Sequence, residues 1–168
     1  MRAGKLWNNN LLKNLSQVIK NPGFNYFFNY FQNKPIIIVS AGPSLNKNIK
    51  VLKEAKDRAV IIAVSTALKA LLSENIIPDI VTIIDADEKM IDHFEGIDKA
   101  RLKEVILAFA PKVQPKIINE WSGPKILIPI PSEDHLLRWL EQYTDYKGRI
   151  FAGCSVSHSS FRLAYYLG

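Results

Sequence analysis

The spacing of apolar residues along the chain changes near Lys34. Before this point, apolar side chains recur at helical intervals through residues 6–19, and Pro22-Gly23 ends the pattern. The next stretch, FNYFFNYFQNK, is rich in aromatic residues and predicts a short amphipathic helix. From Lys34 onward, short β-branched runs alternate with amphipathic segments. The pattern therefore predicts a helical segment over 1–33 and an α/β domain over 34–168.

Five apolar runs predict the strands of that domain, and none of them alternates with polar residues: PIIIVS, AVIIAVS, DIVTIID, EVILAFA and KILIPI. Unbroken apolar strands are typical of a parallel sheet that is covered on both faces. The covering helices are predicted in the segments between the runs: LNKNIKVLKEAKD, TALKALLSENI, EKMIDHFEGIDKARL, QPKIINEWSG and SEDHLLRWLEQYTDY. A further short strand over Arg149–Ala152 precedes a last helix. We expect a Rossmann-like, doubly wound, mostly parallel sheet.

Length and cysteine content narrow the class of protein. A chain of 168 residues that is 48% hydrophobic can form one domain core. Cys154 is the single cysteine and cannot form an internal disulfide, and the N-terminus lacks an apolar stretch of secretory or membrane-spanning length. We therefore expect a soluble cytoplasmic protein with no membrane span. His93 and His135 have no ligand-like spacing to the cysteine, so we expect no zinc site.

The net charge of +6 belongs to the first third of the chain. No Asp or Glu occurs before Glu54, whereas 8 of the 22 basic residues do. This bias fits an anionic partner such as a phosphorylated small molecule or an acidic lipid surface, or simply a solvated basic face. The basic residues are spaced singly, not clustered, which argues against nucleic acid as the partner.

The turn SAGPS follows the first predicted strand and opens the first helix of the α/β domain. In open α/β sheets, ligands bind beyond the carboxyl ends of the strands. Ser40 ends the strand, Gly42 permits a tight turn, and Pro43 can start a helix. The free amides of the first turn, with Ser44 and Lys47, would suit a phosphate or carboxylate. A simple capped βα turn is the alternative, since the Walker A and Gly-x-Gly-x-x-Gly patterns are both absent.

The third predicted strand ends in IIDADEK. Asp85 and Asp87 would point to the same face if the extended geometry continues past the strand. Two neighbouring carboxylates favour a divalent metal such as Mg²⁺ that bridges a diphosphate, or a proton shared between them. Alternatively, Asp87 starts the following helix, where its charge would stabilise the helix dipole.

A second glycine-to-helix turn lies in GCSVSHSS near the end of the chain. Gly153 precedes a helix whose first turns carry hydroxyls at Ser155 and Ser157, so a second set of amide donors could face the same crevice. His158 is the natural candidate for proton transfer, because histidine commonly exchanges protons near neutral pH. A structural hydrogen-bonding role for His158 is the alternative.

These motifs, in this order, carry a family resemblance. The segment from PIIIVSAGPSL to IIDADE, followed by HFEGI and GCSVSHSSFRLAYYLG, resembles the central domain of Maf-type (motility accessory factor) flagellin glycosyltransferases. That domain is shared with MptE-like 6-hydroxymethylpterin diphosphokinases and is similar to bacterial sialyltransferases. The resemblance covers residues 14–168. The family continues where this chain stops, so we expect the domain to be C-terminally incomplete relative to the family.

The resemblance implies transfer of a nonulosonic acid, of the pseudaminic or legionaminic type, from a CMP-sugar donor to Ser or Thr of flagellin. Gly42, Pro43 and Ser44 would then line the donor phosphate site, with hydroxyl donors from Ser155 and Ser157.

In the same reading, Asp85 would face the ligand at the strand end. Ser65 stands where related proteins often carry Asp or Asn, which places it near the base or ribose. Two other functions stay open: Mg²⁺-dependent diphosphate transfer from ATP to a pterin, which would make Asp85 and Asp87 central, and an inactive nucleotide-binding module.

Overall fold

The computed structural model describes residues 2–130, 138–139, 142–151 and 155–168. Its strands are β1 (Ile36–Val39), β2 (Val60–Val64), β3 (Ile80–Ile83), β4 (Ile106–Phe109) and β5 (Lys125–Leu127). Its α-helices are α1 (Arg2–Lys20), α2 (Pro43–Ala55), α3 (Leu68–Ser73), α4 (Pro115–Glu120) and α5 (Val156–Leu167). The predicted segment SEDHLLRWLEQYTDY lies mostly outside the described residues.

The five strands form one parallel sheet in the order β1-β2-β3-β4-β5. Each strand pairs with the next one along the chain, so every connection steps across the sheet in the same direction. Because crossovers between parallel strands are right-handed, helices that connect strands in one direction lie on one face of the sheet. The opposite face must be covered by other parts of the chain.

Side chains on the two faces of the sheet belong to two core clusters. Along β2, Ile61 and Ala63 pack with α2, α3 and α4, whereas Val60 and Ile62 pack with α5 and with Phe24. This alternation is the period of two that a strand imposes. All five residues of β2 are buried, as expected for a strand covered on both faces. The predicted fold class, an α/β parallel sheet with helices on both faces, is confirmed.

The aromatic stretch before β1 is not the amphipathic helix that the sequence predicts. It forms a 3₁₀ helix over Phe24–Phe27 and then a series of turns, with Asn29 and Asn33 at φ of 58° and 66°. Asparagine tolerates this left-handed conformation better than most residues. A residue in this conformation interrupts a helix. The Phe31 amide donates to the Leu167 carbonyl at 2.8 Å, so the turns pack against the end of α5.

Two other predicted elements also differ from the structure. The segment EKMIDHFEGIDKARL forms two 3₁₀ helices, Glu88–His93 and Lys99–Leu102, because Gly96 adopts a φ of 74° and breaks the helix. The predicted strand at Arg149–Ala152 is also wrong for its described residues, which have no strand geometry. The Ile150 amide there donates to the Pro129 carbonyl at 2.9 Å.

No helix within the described ranges is both long and apolar enough to cross a lipid bilayer.

Candidate functional site

The turn between β1 and α2 lies at the carboxyl end of the sheet. Pro43 is the first residue of α2, and Gly42 is its N-cap. The Gly42 backbone is extended (φ 160°, ψ 170°), not left-handed, and its neighbours leave open space where a Cβ would lie. The first-turn amide of Ser44 has no acceptor within the helix, because the residue that would supply it lies before the helix begins. Ser44 itself is exposed.

The start of α5 forms a second, independently capped helix N-terminus. Ser155 is its N-cap, and the Ser155 Oγ accepts from the His158 amide at 3.4 Å. The same Oγ lies 3.0 Å from His158 Nδ1, so one hydroxyl fixes both the first turn and the imidazole ring. His158 is exposed. Gly153, the predicted glycine of this turn, lies outside the described residues.

The two turns meet at one point. The hydroxyl oxygens of Ser40 and Ser157 lie 2.7 Å apart, across 117 residues of sequence. Since α2 packs on one face of the sheet and α5 on the other, both helices begin beside the carboxyl end of β1. Two helix N-termini, each with amide donors and a positive dipole end, therefore lie close together, and we call the surface between them, around Ser40, Ser44 and Ser157, the crevice.

Ser65 lies at the carboxyl end of the neighbouring strand β2. It starts a 3₁₀ helix over Ser65–Ala67 and is only 3% exposed. The family resemblance implies that Ser65 lies near the base or ribose of a ligand. In the structure Ser65 is buried at the carboxyl edge of the sheet and is not part of its exposed surface.

Asp85 and Asp87 follow β3 but use their carboxylates on the local backbone. Asp85 Oδ1 accepts from the Asp87 amide at 3.0 Å, and Asp87 Oδ1 accepts from the Lys89 amide at 2.9 Å. Each carboxylate therefore accepts from the amide two residues further along the chain, and the Asp87 backbone is extended (φ −62°, ψ 139°). Asp87 is the N-cap of the 3₁₀ helix Glu88–His93, which matches the alternative interpretation of this residue.

The described residues supply only part of a magnesium site. Asp85 and Asp87 are the right type of ligand for this ion. However, no group of three or more His, Cys, Asp or Glu side chains comes together in the part of the chain that the structure describes.

The serines at the start of α5 form two groups that differ in burial, and the sequence does not distinguish them. Ser155 is exposed and Ser157 lies half-buried against Ser40, whereas Ser159 and Ser160 are fully buried. The Ser160 Oγ lies 2.6 Å from Thr82 Oγ1 on β3. The sequence alone does not reveal this difference between Ser157 and Ser160. Whether each hydroxyl is buried depends on which strand the side chain faces.

Two buried asparagines on α1 were not predicted as site residues. Asn10 Nδ2 donates to the carbonyls of Ala86 and Lys112 at 3.4 and 3.0 Å. Asn14 Nδ2 donates to the carbonyls of Pro111 and Val113 at 2.9 and 2.7 Å. These bonds tie α1 to the loops that follow β3 and β4, so α1 helps to shape the carboxyl edge. The sequence feature that could have identified them is their spacing of four residues within an apolar helical stripe.

Burial lowers the pKa of Lys125, whose ammonium donates to the Trp121 carbonyl at 3.0 Å. Lys125 begins β5, so it lies at the amino end of the sheet, on the side opposite to the crevice.

Comparisons with known proteins give the family of the chain. A family model described as "6-hydroxymethylpterin diphosphokinase MptE-like" matches residues 9–168. The chain belongs to the MptE-like family. The match includes both turns of the crevice and the two asparagines of α1, and it confirms the predicted family resemblance.

The MptE-like chain is also similar to two individual proteins. It is 43% identical over 60 residues to a 6-hydroxymethyl-7,8-dihydropterin pyrophosphokinase from Methanocaldococcus jannaschii, a match that covers 33% of this chain and 25% of that protein. It also superimposes on a Maf glycosyltransferase from Magnetospirillum magneticum AMB-1 with a TM-score of 0.61 and 20% identity, covering 89% of this chain and 22% of that one. The MptE-like chain thus spans about a quarter of the length of either relative and shares the fold of the second.

Proposed function

We propose that the crevice between α2 and α5 binds the phosphate of a nucleotide-activated donor, and that the domain serves Maf-type glycosyl transfer. The donor would be a CMP-activated nonulosonic acid, and the acceptor a Ser or Thr of flagellin. The observation that carries this proposal is the 2.7 Å contact between Ser40 and Ser157, which holds two helix N-termini at one crevice.

The elements of the crevice suit an anionic group. Helix N-termini bind phosphate through free amides and through the positive end of the helix dipole. The space in front of Gly42 is open, so a ligand could approach the backbone closely there. Lys47 lies one turn into α2 and adds a positive charge. These features would stabilise negative charge that develops on a leaving CMP phosphate.

His158 would act as the general base for the acceptor hydroxyl. The Nδ1 atom of its ring is engaged with the Ser155 hydroxyl at 3.0 Å, which leaves Nε2 as the nitrogen that would take the proton. Because the residue is exposed at the start of α5, an acceptor could reach it from solvent. In this mechanism Ser155 is a positioning residue.

The glycosyltransferase interpretation is favoured over diphosphate transfer for two reasons. The fold match to the Maf glycosyltransferase covers 89% of this chain at 20% identity, so it supports this interpretation through the shared fold. The carboxylates of Asp85 and Asp87 also accept from local backbone amides.

Mg²⁺-dependent diphosphate transfer from ATP to a pterin is the second candidate. It is supported by the 43% identity to the pyrophosphokinase over 60 residues and by the two carboxylates that follow β3. An inactive nucleotide-binding module is the third. It would retain affinity for the nucleotide without turnover.

Replacing Ser44 with glutamate tests the phosphate site. The new carboxylate would lie in the first turn of α2, where it would repel the ligand phosphate and occupy the free amides. We expect Ser44→Glu to weaken CMP binding by at least about tenfold in calorimetry, with an unchanged circular dichroism spectrum. Ser16→Glu is the matched control, because Ser16 is exposed on α1 and should leave the affinity unchanged. Unchanged affinity in folded Ser44→Glu would contradict the proposed site.

A further inference from the structure

Thr82 is a polar residue in the middle of the core. It is the only polar residue in the described strands β1 to β4, and its side chain is fully buried. Its neighbours Val81 and Ile83 pack on the face of α2, α3 and α4, whereas Ile80 packs on the face of α5. Because side chains alternate along a strand, Thr82 lies on the α5 face. Valine is β-branched in the same way, so packing alone does not account for the hydroxyl.

The Thr82 hydroxyl connects β3 to α5. Its Oγ1 atom lies 2.6 Å from the Ser160 Oγ, and the Ser160 Oγ donates to the Val156 carbonyl at 3.0 Å. Since the single Ser160 proton is directed to its own helix, Thr82 is the donor of the 2.6 Å hydrogen bond. The Ala63 carbonyl is a second acceptor for Thr82, but at 3.4 Å it is the weaker one.

This hydrogen bond is directional, whereas most of the buried face of α5 is apolar. That face includes Leu163, Ala164 and Leu167. Apolar burial is non-directional. A hydrogen bond is lost when its two atoms separate by more than about 3.5 Å, and one helical turn is about 5.4 Å. The Thr82–Ser160 pair therefore specifies the register of α5 on the sheet more sharply than the apolar contacts do.

The register of α5 decides where its first turn lies. Ser157 precedes Ser160 by three residues, and its hydroxyl lies 2.7 Å from that of Ser40, which follows β1. The two hydroxyl pairs thus attach α5 at two different strands, which sets both the position and the rotation of the helix. Thr82 and Ser160 are fully buried, so they cannot touch a ligand in the crevice themselves.

We propose that Thr82 and Ser160 are positioning residues of the phosphate site. Their hydrogen bond holds the first turns of α5 in the register that places Ser157 against Ser40 and His158 beside the crevice. Their role in nucleotide binding rests on the proposed function, whereas the register of α5 can be measured without a ligand.

The first test is a crosslink that reports the position of α5. In a Cys154→Ser background, Ser40→Cys and Ser157→Cys place two thiols where the hydroxyls now meet, which is close enough for a disulfide. The equilibrium of this disulfide with glutathione measures how closely the two turns are held. We expect Thr82→Val to lower the equilibrium constant by at least about fivefold, the equivalent of one net hydrogen bond.

Ile118→Val is the matched control. Ile118 is fully buried in α4, in the core cluster on the other face of the sheet, so its truncation also destabilises the fold. It should leave the disulfide equilibrium unchanged. An unchanged equilibrium in folded Thr82→Val, or failure of the disulfide to form in the chain that keeps Thr82, would overturn the proposal.

Two further variants separate positioning from stability. Thr82→Val combined with Ser160→Ala removes both hydroxyls, so neither is left buried without its partner and the stability lost in Thr82→Val should return. The disulfide equilibrium should stay low, because the directional contact is still missing. Thr82→Ser keeps the hydroxyl and should preserve the equilibrium. Recovery of the equilibrium in the double variant would show that the hydroxyls only stabilise the fold.

Calorimetry with CMP tests the role in nucleotide binding. We expect Thr82→Val to weaken CMP binding by at least about fivefold, whereas Thr82→Ser and Ile118→Val should leave the affinity unchanged. Unchanged affinity in Thr82→Val would contradict the positioning role. If the unmodified chain does not bind CMP, the phosphate site and its positioning residues are wrong together, and the crosslink still decides whether Thr82 sets the register of α5.

Discussion

At the scale of single residues, the proposed site depends on a pair of hydroxyls. Ser40 and Ser157 are each visible in the sequence as polar residues next to a predicted helix start, but their contact is not. The sequence places them 117 residues apart, and only the position of α5 on the second face of the sheet brings them together. The same limit applies to Ser159 and Ser160, whose burial depends on the strand they face.

The Ser40–Ser157 hydrogen bond should contribute to folding as well as to the site. We expect Ser157→Ala to lower the free energy of unfolding by about 0.5–1.5 kcal/mol, the usual net value of one part-buried hydrogen bond. In a double-mutant cycle with Ser40→Ala, measured by urea denaturation, the two losses should be less than additive. Strictly additive losses would show that the two hydroxyls do not interact.

At the scale of elements, the strands were the most predictable features. Each of the five apolar runs contains a strand, because unbroken β-branched runs have few alternatives to burial in a sheet. The helices α1, α2 and α5 were also predicted from apolar spacing, and Pro43 marks the start of α2. The two wrong helix predictions lie where asparagine and glycine take positive φ, at Asn29, Asn33 and Gly96, since amphipathic spacing does not report backbone conformation.

The attachment of α1 to the carboxyl edge makes a separate prediction. Asn14 is fully buried, and its amide donates to the carbonyls of Pro111 and Val113. We expect Asn14→Leu to lower the free energy of unfolding by about 2–4 kcal/mol, because it leaves two buried carbonyls without these donors. Urea denaturation measures the loss.

Asn9→Leu is the matched control for Asn14→Leu. Asn9 lies on the same helix and is exposed, so its replacement should change stability by no more than about 0.5 kcal/mol. Equal effects of the two substitutions would show that the Asn14 hydrogen bonds do not secure α1.

At the scale of the whole molecule, the sequence predicts the fold class but not the order of the strands. Alternating strands and helices indicate a parallel sheet, yet the lateral position of each strand depends on how the helices pack. The observed order puts α2, α3 and α4 on one face and leaves the other for α5 and the aromatic segment. This arrangement, which local patterns do not encode, creates the crevice at β1.

The proposed phosphate site is tested most directly by calorimetric binding of CMP, a CMP-nonulosonic acid and ATP to this chain, each with and without Mg²⁺. The account predicts that both cytidine ligands bind more tightly than ATP and that Mg²⁺ changes their affinity little, because helix N-termini and not a metal hold the phosphate. Mg²⁺-dependent binding of ATP in preference to the cytidine ligands would contradict the account and favour diphosphate transfer.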